Sequence, residues 1–242
     1  MKPVHFSRLK LMARSPLHYL AAEQGDGQDT PSMRLGRLVH FLVLGGAFAV
    51  YDGRRAGKEW EEFKTAHLGT EIFTASEVDT AQPIADAVFA HPDAVDLLTG
   101  ERERAIEWTM AGRACAGRID VLGAGFVTDL KTAADAAPER FARQALRMGY
   151  HAQLDWYGNG AALAGLGNRP ARFIVAVETK PPYVVQPFEF SEAALEQGRK
   201  LWWGWWERLL GCERSDVWGG YVNGIYPIDA VEEFSLDGLE AA

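Results

Sequence analysis

The chain has 242 residues, 48% of them hydrophobic and 24% charged, which suits one globular domain with a sizeable core. Its net charge of −8 excludes a protein that coats nucleic acid through a broadly basic surface, although a cluster of acidic metal ligands would contribute to such a deficit. No apolar run reaches the roughly 18 residues of a membrane helix; the opening MKPVHFSRLK lacks the apolar core of a secretory leader, and Cys115 and Cys212 stand in unrelated contexts, so a reducing, cytoplasmic setting without a disulfide framework is expected.

Residues 7–24 (SRLKLMARSPLHYLAAEQ) read as one helix capped by Ser7, with Leu9, Leu11, Met12, Leu17 and Leu20 as its stripe despite Pro16. GDGQDTP reads as a loop. Residues 32–46 read as a second helix, with Leu35, Leu38, Val39 and Leu42 on its apolar face and Gly45–Gly46 at its end. Residues 53–75 are charged and mixed, with a short helix around Trp60 and Phe63. Residues 74–98 read as helix broken near Pro83 and Pro92.

The pattern then becomes strand-like over 103–110, 113–122 and 125–132. Ala111–Gly112 and Gly123–Gly125 are good hairpin connections between these runs. Residues 138–166 read as helix interrupted near Gly149, and 171–179 and 183–190 as two more strands. Residues 191–210 form a long predicted helix opened by Ser191, with Glu192 and Glu196 near its positive end; the chain beyond Gly211 looks irregular. This order implies one domain over 1–242, of α/β (α+β) class, with a central mixed sheet flanked by helices. Residues 1–100 are its mostly helical portion, 101–190 its sheet core, and 191–242 its tryptophan-rich helix and tail.

Asp129 and Lys131 lie two apart in TDLKT and so project from one face of a strand. A hairpin turning at Gly123–Gly125 brings Asp120, at the end of the preceding strand, beside Asp129. Two adjacent carboxylates repel, and a divalent cation such as Mg²⁺ relieves that repulsion. Bound there, it would acidify a water, and Lys131 would orient that water and add positive charge. By itself Asp-x-Lys is a common tripeptide, and an exposed ion pair near a turn is its ordinary meaning.

Two short strands ending in Asp, then Asp-x-Lys, then a helix, together resemble the PD-(D/E)XK nuclease superfamily. Gln153 and Tyr157 in HAQLDWY fit the Gln-x-x-x-Tyr helix of RecB-type nucleases, and His40 in GRLVHFLVL is similar to their upstream histidine. SRLKLMARSPLHYL, GRIDVL and VTDLKTAADA look closest to RecE-type (exonuclease VIII-like) phage and prophage exonucleases. The likeness runs from about Ser7 to Tyr157. Ile119 stands where many members have Pro, and Asp129 where many have Glu; both are accepted variants.

The resemblance implies a restriction-endonuclease-like core and an exodeoxyribonuclease using Mg²⁺ or Mn²⁺. Asp120, Asp129, the Leu130 carbonyl and His40 would be metal ligands, and Lys131 the catalytic lysine. Gln153 would position Lys131 or a phosphate, and Tyr157 would contact DNA or pack the site. Linear duplex DNA ends are the implied substrate, digested for recombination by strand annealing. A single-strand annealing partner and a homo-oligomer are compatible with this, as are an endonuclease, a single-strand nuclease, or a non-catalytic DNA-binding module.

Some features admit two readings. His40, amid Leu38, Val39, Phe41 and Leu42, would by itself be read as a packing residue. Arg34 and Arg37, near its helix face, either meet DNA phosphates or form a solvated face. Glu103 and Glu107 are both candidates for an extra ligand, and the sequence does not choose between them. Trp202, Trp203, Trp205 and Trp206 cannot all face one core, which leaves an oligomer interface, a base-stacking platform, or partial exposure. The acidic segment ending in Ala241–Ala242 reads as a frayed tail.

Overall fold

A computed structural model describes residues 2–25, 29–168, 171–221 and 224–225. Among these residues the main sheet has five strands in the order β3-β4-β5-β6-β7: β3 (Glu101–Met110), β4 (Arg113–Leu122), β5 (Phe126–Ala133), β6 (Ala171–Glu178) and β7 (Val185–Glu189). Only the β5–β6 pair is parallel, which makes the sheet mixed as expected. The β3–β4 turn takes positive φ at both Ala111 and Gly112, the backbone that a two-residue hairpin requires.

Helices cover both faces. On one side α1 (Phe6–Leu9), α8 (Tyr150–Leu163) and α9 (Glu192–Ser215) enclose Trp156, Trp202 and Trp206 against Ile119, Val127 and Ile174. On the other, α3 (Pro31–Leu44), α5 (Ala75–Phe89) and α6 (Pro92–Leu97) bury Leu38, Val39, Val43, Ile84 and Val88 against Leu130, Val175 and Val177. β5 is central and carries apolar side chains to both layers, as a strand covered on two faces must.

Several local expectations change. The first predicted helix is three pieces: α1, a 3-10 turn over Lys10–Ala13, and α2 (Pro16–Gln24). Ser15, not Ser7, is a cap here, accepting from the His18 N–H, and Pro16 occupies the first turn, where its missing donor costs nothing. Pro83, in contrast, does not break α5; the carbonyl it cannot satisfy belongs to exposed Asp79. A small parallel sheet, β1 (Phe48–Val50) with β2 (Glu71–Phe73), brackets α4 (Lys58–Ala66) and was not foreseen, because three-residue strands leave no measurable alternation. Gly149, in the left-handed region, separates α7 (Pro138–Arg147) from α8 as anticipated. Helix α9 continues five residues past the predicted end to Ser215. The acidic tail lies outside the described residues, as does much of GDGQDTP.

Trp202 and Trp206, one turn apart on α9, are core residues; Trp205 packs on Phe6 at 6.2 Å between ring centroids, while Trp203 is 45% exposed. Cys115 and Cys212 are buried free thiols. Among the described residues no helix is long and apolar enough to cross a membrane.

Candidate active site

The site lies where β4 and β5 part. Their ladder holds only Val121↔Thr128 and Leu122↔Val127, and the same register extended by one residue opposes Asp120 to Asp129. Beyond that point the Asp120 side chain takes over the ladder's role, its Oδ2 accepting the Leu130 N–H at 2.8 Å. β4 also changes face here. Cys115 and Ile119 pack in the α8 layer, whereas Val121, two residues further, packs in the α3 layer. Across the β3–β4 hairpin, Glu103 stands opposite Asp120 between the pairs Arg102↔Val121 and Arg104↔Ile119, with φ of +50°. Both strands are therefore kinked at the carboxylates.

Asp129 and Lys131 project together from β5 toward α8. The Lys131 ammonium lies 2.5 Å from Asp129 Oδ2 and 5.0 Å from the centre of the Tyr150 ring. The Gln153 amide donates to Asp129 Oδ1 at 3.2 Å. Tyr157, one turn on, fits against β4 because position 117 is glycine; a Cβ there would come within 2.8 Å of the tyrosine ring. Gln153 and Tyr157 thus share the α8 face that lies against β4 and β5.

His40 reaches the same point from the opposite layer. Its Nε2 is 2.7 Å from the Leu130 carbonyl oxygen, and its Nδ1 is 3.6 Å from Asp120 Oδ2. Gly36, one turn earlier on α3, makes this approach possible: a Cβ at Gly36 would stand 3.2 Å from Thr132 Oγ1 on β5. His40 is therefore not a packing residue but a polar group directed between two strands.

Burial, then the charge of Asp129, push the Asp120 carboxyl up to about 6. Burial alone would drain charge from Lys131, but Asp129 and Asp120 outweigh it and hold its pKa above the ordinary lysine range. Burial, with Asp129 adding to it, pushes the Tyr157 hydroxyl up to about 12, so it is a neutral donor near neutrality. The donor set comprises carboxylates, a backbone carbonyl and an imidazole, which fits Mg²⁺ or Mn²⁺, with the imidazole favouring Mn²⁺.

The structure brings together His40, Asp120, Asp129, Leu130, Lys131, Gln153 and Tyr157. Arg37 is engaged elsewhere, by Asp29 and by Glu71 at 2.9 Å. Arg34 is held by Glu77 and Glu71 and lies 4.4 Å over the Phe73 ring. Of the two upstream glutamates, Glu107 is exposed and pairs with Ala116, while Glu103 is at the site. Tyr150 was not anticipated, because an aromatic at the start of a helix carries no distinctive signal.

The family model of a PDDEXK-like domain of unknown function (DUF3799) matches residues 5–226. The chain belongs to that family. A solved structure named "Putative exonuclease", from Eubacterium rectale, superposes with a TM-score of 0.68 at 13% identity, over 99% of this chain and 93% of that one. At that identity the likeness shows the fold of this PDDEXK-like chain. A second structure, named SSO0001, gives a TM-score of only 0.37 at 14% identity over 84% of this chain and 76% of that one, and it bears no weight. No curated protein matches the chain.

Proposed function

We propose that this PDDEXK-like protein is a metal-dependent deoxyribonuclease, acting as an exonuclease on linear duplex ends in recombination by strand annealing. The observation that carries the reading is the placement of Asp120 and Asp129 at the parting of β4 and β5, with Lys131 on the same face as Asp129. Asp120, Asp129, the Leu130 carbonyl and His40 are the groups that would hold a divalent ion. When bound, that ion supplies a Lewis acid for water and for phosphate oxygens.

The chain's own residues do the rest. Lys131, kept charged by its carboxylate neighbours, offers a fixed ammonium to the negative charge that grows on the phosphorus oxygens, and it orients the attacking water. Gln153 fixes Asp129 by binding the oxygen that Lys131 leaves free. Tyr157, protonated and packed between α8 and β4, would donate its hydroxyl to a phosphate. The exonuclease assignment draws on the motif resemblance and on what the Eubacterium rectale structure is named.

The test is a degradation assay on end-labelled linear duplex DNA and on closed circles. Mg²⁺ or Mn²⁺ should permit loss of the linear substrate alone, and Lys131→Ala should abolish it. Cutting of closed circles would make the enzyme an endonuclease. Equal activity in Lys131→Ala would refute the mechanism.

A further inference from the structure

We infer that Glu103 is a metal ligand of this site, closing a cation subsite with His40 Nδ1 and Asp120; the inference rests on the nuclease reading above. Ligand-capable atoms of these three residues lie within 4.8 Å of one another. An octahedral ion with bonds of about 2.1 Å spans about 4.2 Å between opposite ligands, so small side-chain movements would close the three around it. Asp129 is not one of these three; its carboxylate, in contact with Lys131 and Gln153, would join the ion from β5.

The imidazole gives an independent indication. A backbone carbonyl only accepts, so the contact with Leu130 places the ring proton on Nε2. The lone pair of the neutral ring is then on Nδ1, facing Asp120 Oδ2 at 3.6 Å. An acceptor nitrogen facing a carboxylate needs a positive bridge, a proton or a metal ion, and a metal ion takes both groups as ligands. A ring held by its other nitrogen against a carbonyl is also the usual arrangement of a metal-binding histidine.

Glu103 completes the arrangement from the opposite strand. Its φ of +50° is uncommon for a residue with a side chain, and it lies in the same kink as Asp120. Its ion-pair partner, Arg118, is 3.3 Å away but 70% exposed, and exposed pairs of this kind contribute little. That pair alone is a weak reason for a carboxylate at this position.

Titration calorimetry with Mn²⁺ tests the inference on the full chain, using wild type, Glu103→Gln, Glu103→Asp and Arg118→Ala. Glu103→Gln should weaken Mn²⁺ binding by about tenfold or more. Glu103→Asp, which keeps the charge, should recover part of the loss, and Arg118→Ala should bind as wild type or more tightly. Melting curves in EDTA should show the variants folded. Wild-type affinity in a folded Glu103→Gln overturns the inference. So does a loss in Arg118→Ala equal to that in Glu103→Gln, because Glu103 would then act only through its arginine. Neither result touches the nuclease reading, which fails separately if wild type with Mg²⁺ or Mn²⁺ leaves all DNA intact.

Discussion

Asp120→Asn should stabilise the metal-free protein while removing its response to metal. The Asp120 side chain is 13% exposed, and burial followed by Asp129 raises its carboxyl from an ordinary 3.8 to about 6. Between those pH values the folded chain keeps a proton that the unfolded chain has released. Stability therefore falls as pH rises from about 4 to about 6, and the ionised fold above that range carries a penalty of about 3 kcal/mol. Asparagine removes the charge and retains an acceptor for the Leu130 N–H. In EDTA near pH 8, urea unfolding should place the variant about 1–3 kcal/mol above wild type, with the gap closing by about pH 4. Adding Mn²⁺ at about 100 times its dissociation constant should raise wild type by about 2.7 kcal/mol and leave the variant unmoved. The reasoning is refuted if wild type equals or exceeds the variant in EDTA near pH 8. A gap that persists undiminished at pH 4 refutes it equally, because packing rather than charge would be its source.

Lys131→Ala leaves Asp129, which is 4% exposed at its side chain, without its cation; denaturant unfolding should show a loss of about 3 kcal/mol with a cooperative transition retained. Gln153→Ala frees Asp129 Oδ1, and turnover on linear duplex should fall by about 10–100-fold with little change in stability; an unchanged rate would show that Asp129 needs no such support. Gly36→Val pushes α3 away from Thr132 and carries His40 with it, so Mn²⁺ affinity should drop together with about 1–3 kcal/mol of stability. Adding Thr132→Ala should restore part of both, and calorimetry of the double variant reads this directly.

Much of the sheet and its motif was legible because strand patterns and hairpin turns are local. Ala111–Gly112 sets a two-residue turn, and counting back from it pairs position 103 with 120; the turn through Gly123–Gly125 opposes Asp120 to Asp129 in the same way. The choice of Glu103 over Glu107 was thus already implicit in register, although the carboxylates themselves gave no preference. Capping chemistry was less transparent. Ser7 and Ser15 are equivalent by type, and only the extended backbone before Pro16 makes Ser15 the cap. The β1–β2 pair is too short for any periodic signal. The tryptophan cluster was ambiguous because one helix presents its residues to several neighbours at once. Packing against Trp156 resolves Trp202 and Trp206 as core and leaves Trp203 outside.

What the sequence by itself determined is the Asp-x-Lys strand, its hairpin partner Asp120, and the helix bearing Gln153 and Tyr157, because each follows from spacing within a few tens of residues. Tertiary structure decided which distant groups join them. His40 is 90 residues from Leu130, and it meets that carbonyl only because α3 lies close over β5 at Gly36. The same packing gave Arg34 and Arg37 carboxylate partners on neighbouring elements, leaving them engaged away from the carboxylate pair. The face switch of β4, with Ile119 in one helical layer and Val121 in the other, likewise depends on both layers being in place, which no local pattern encodes.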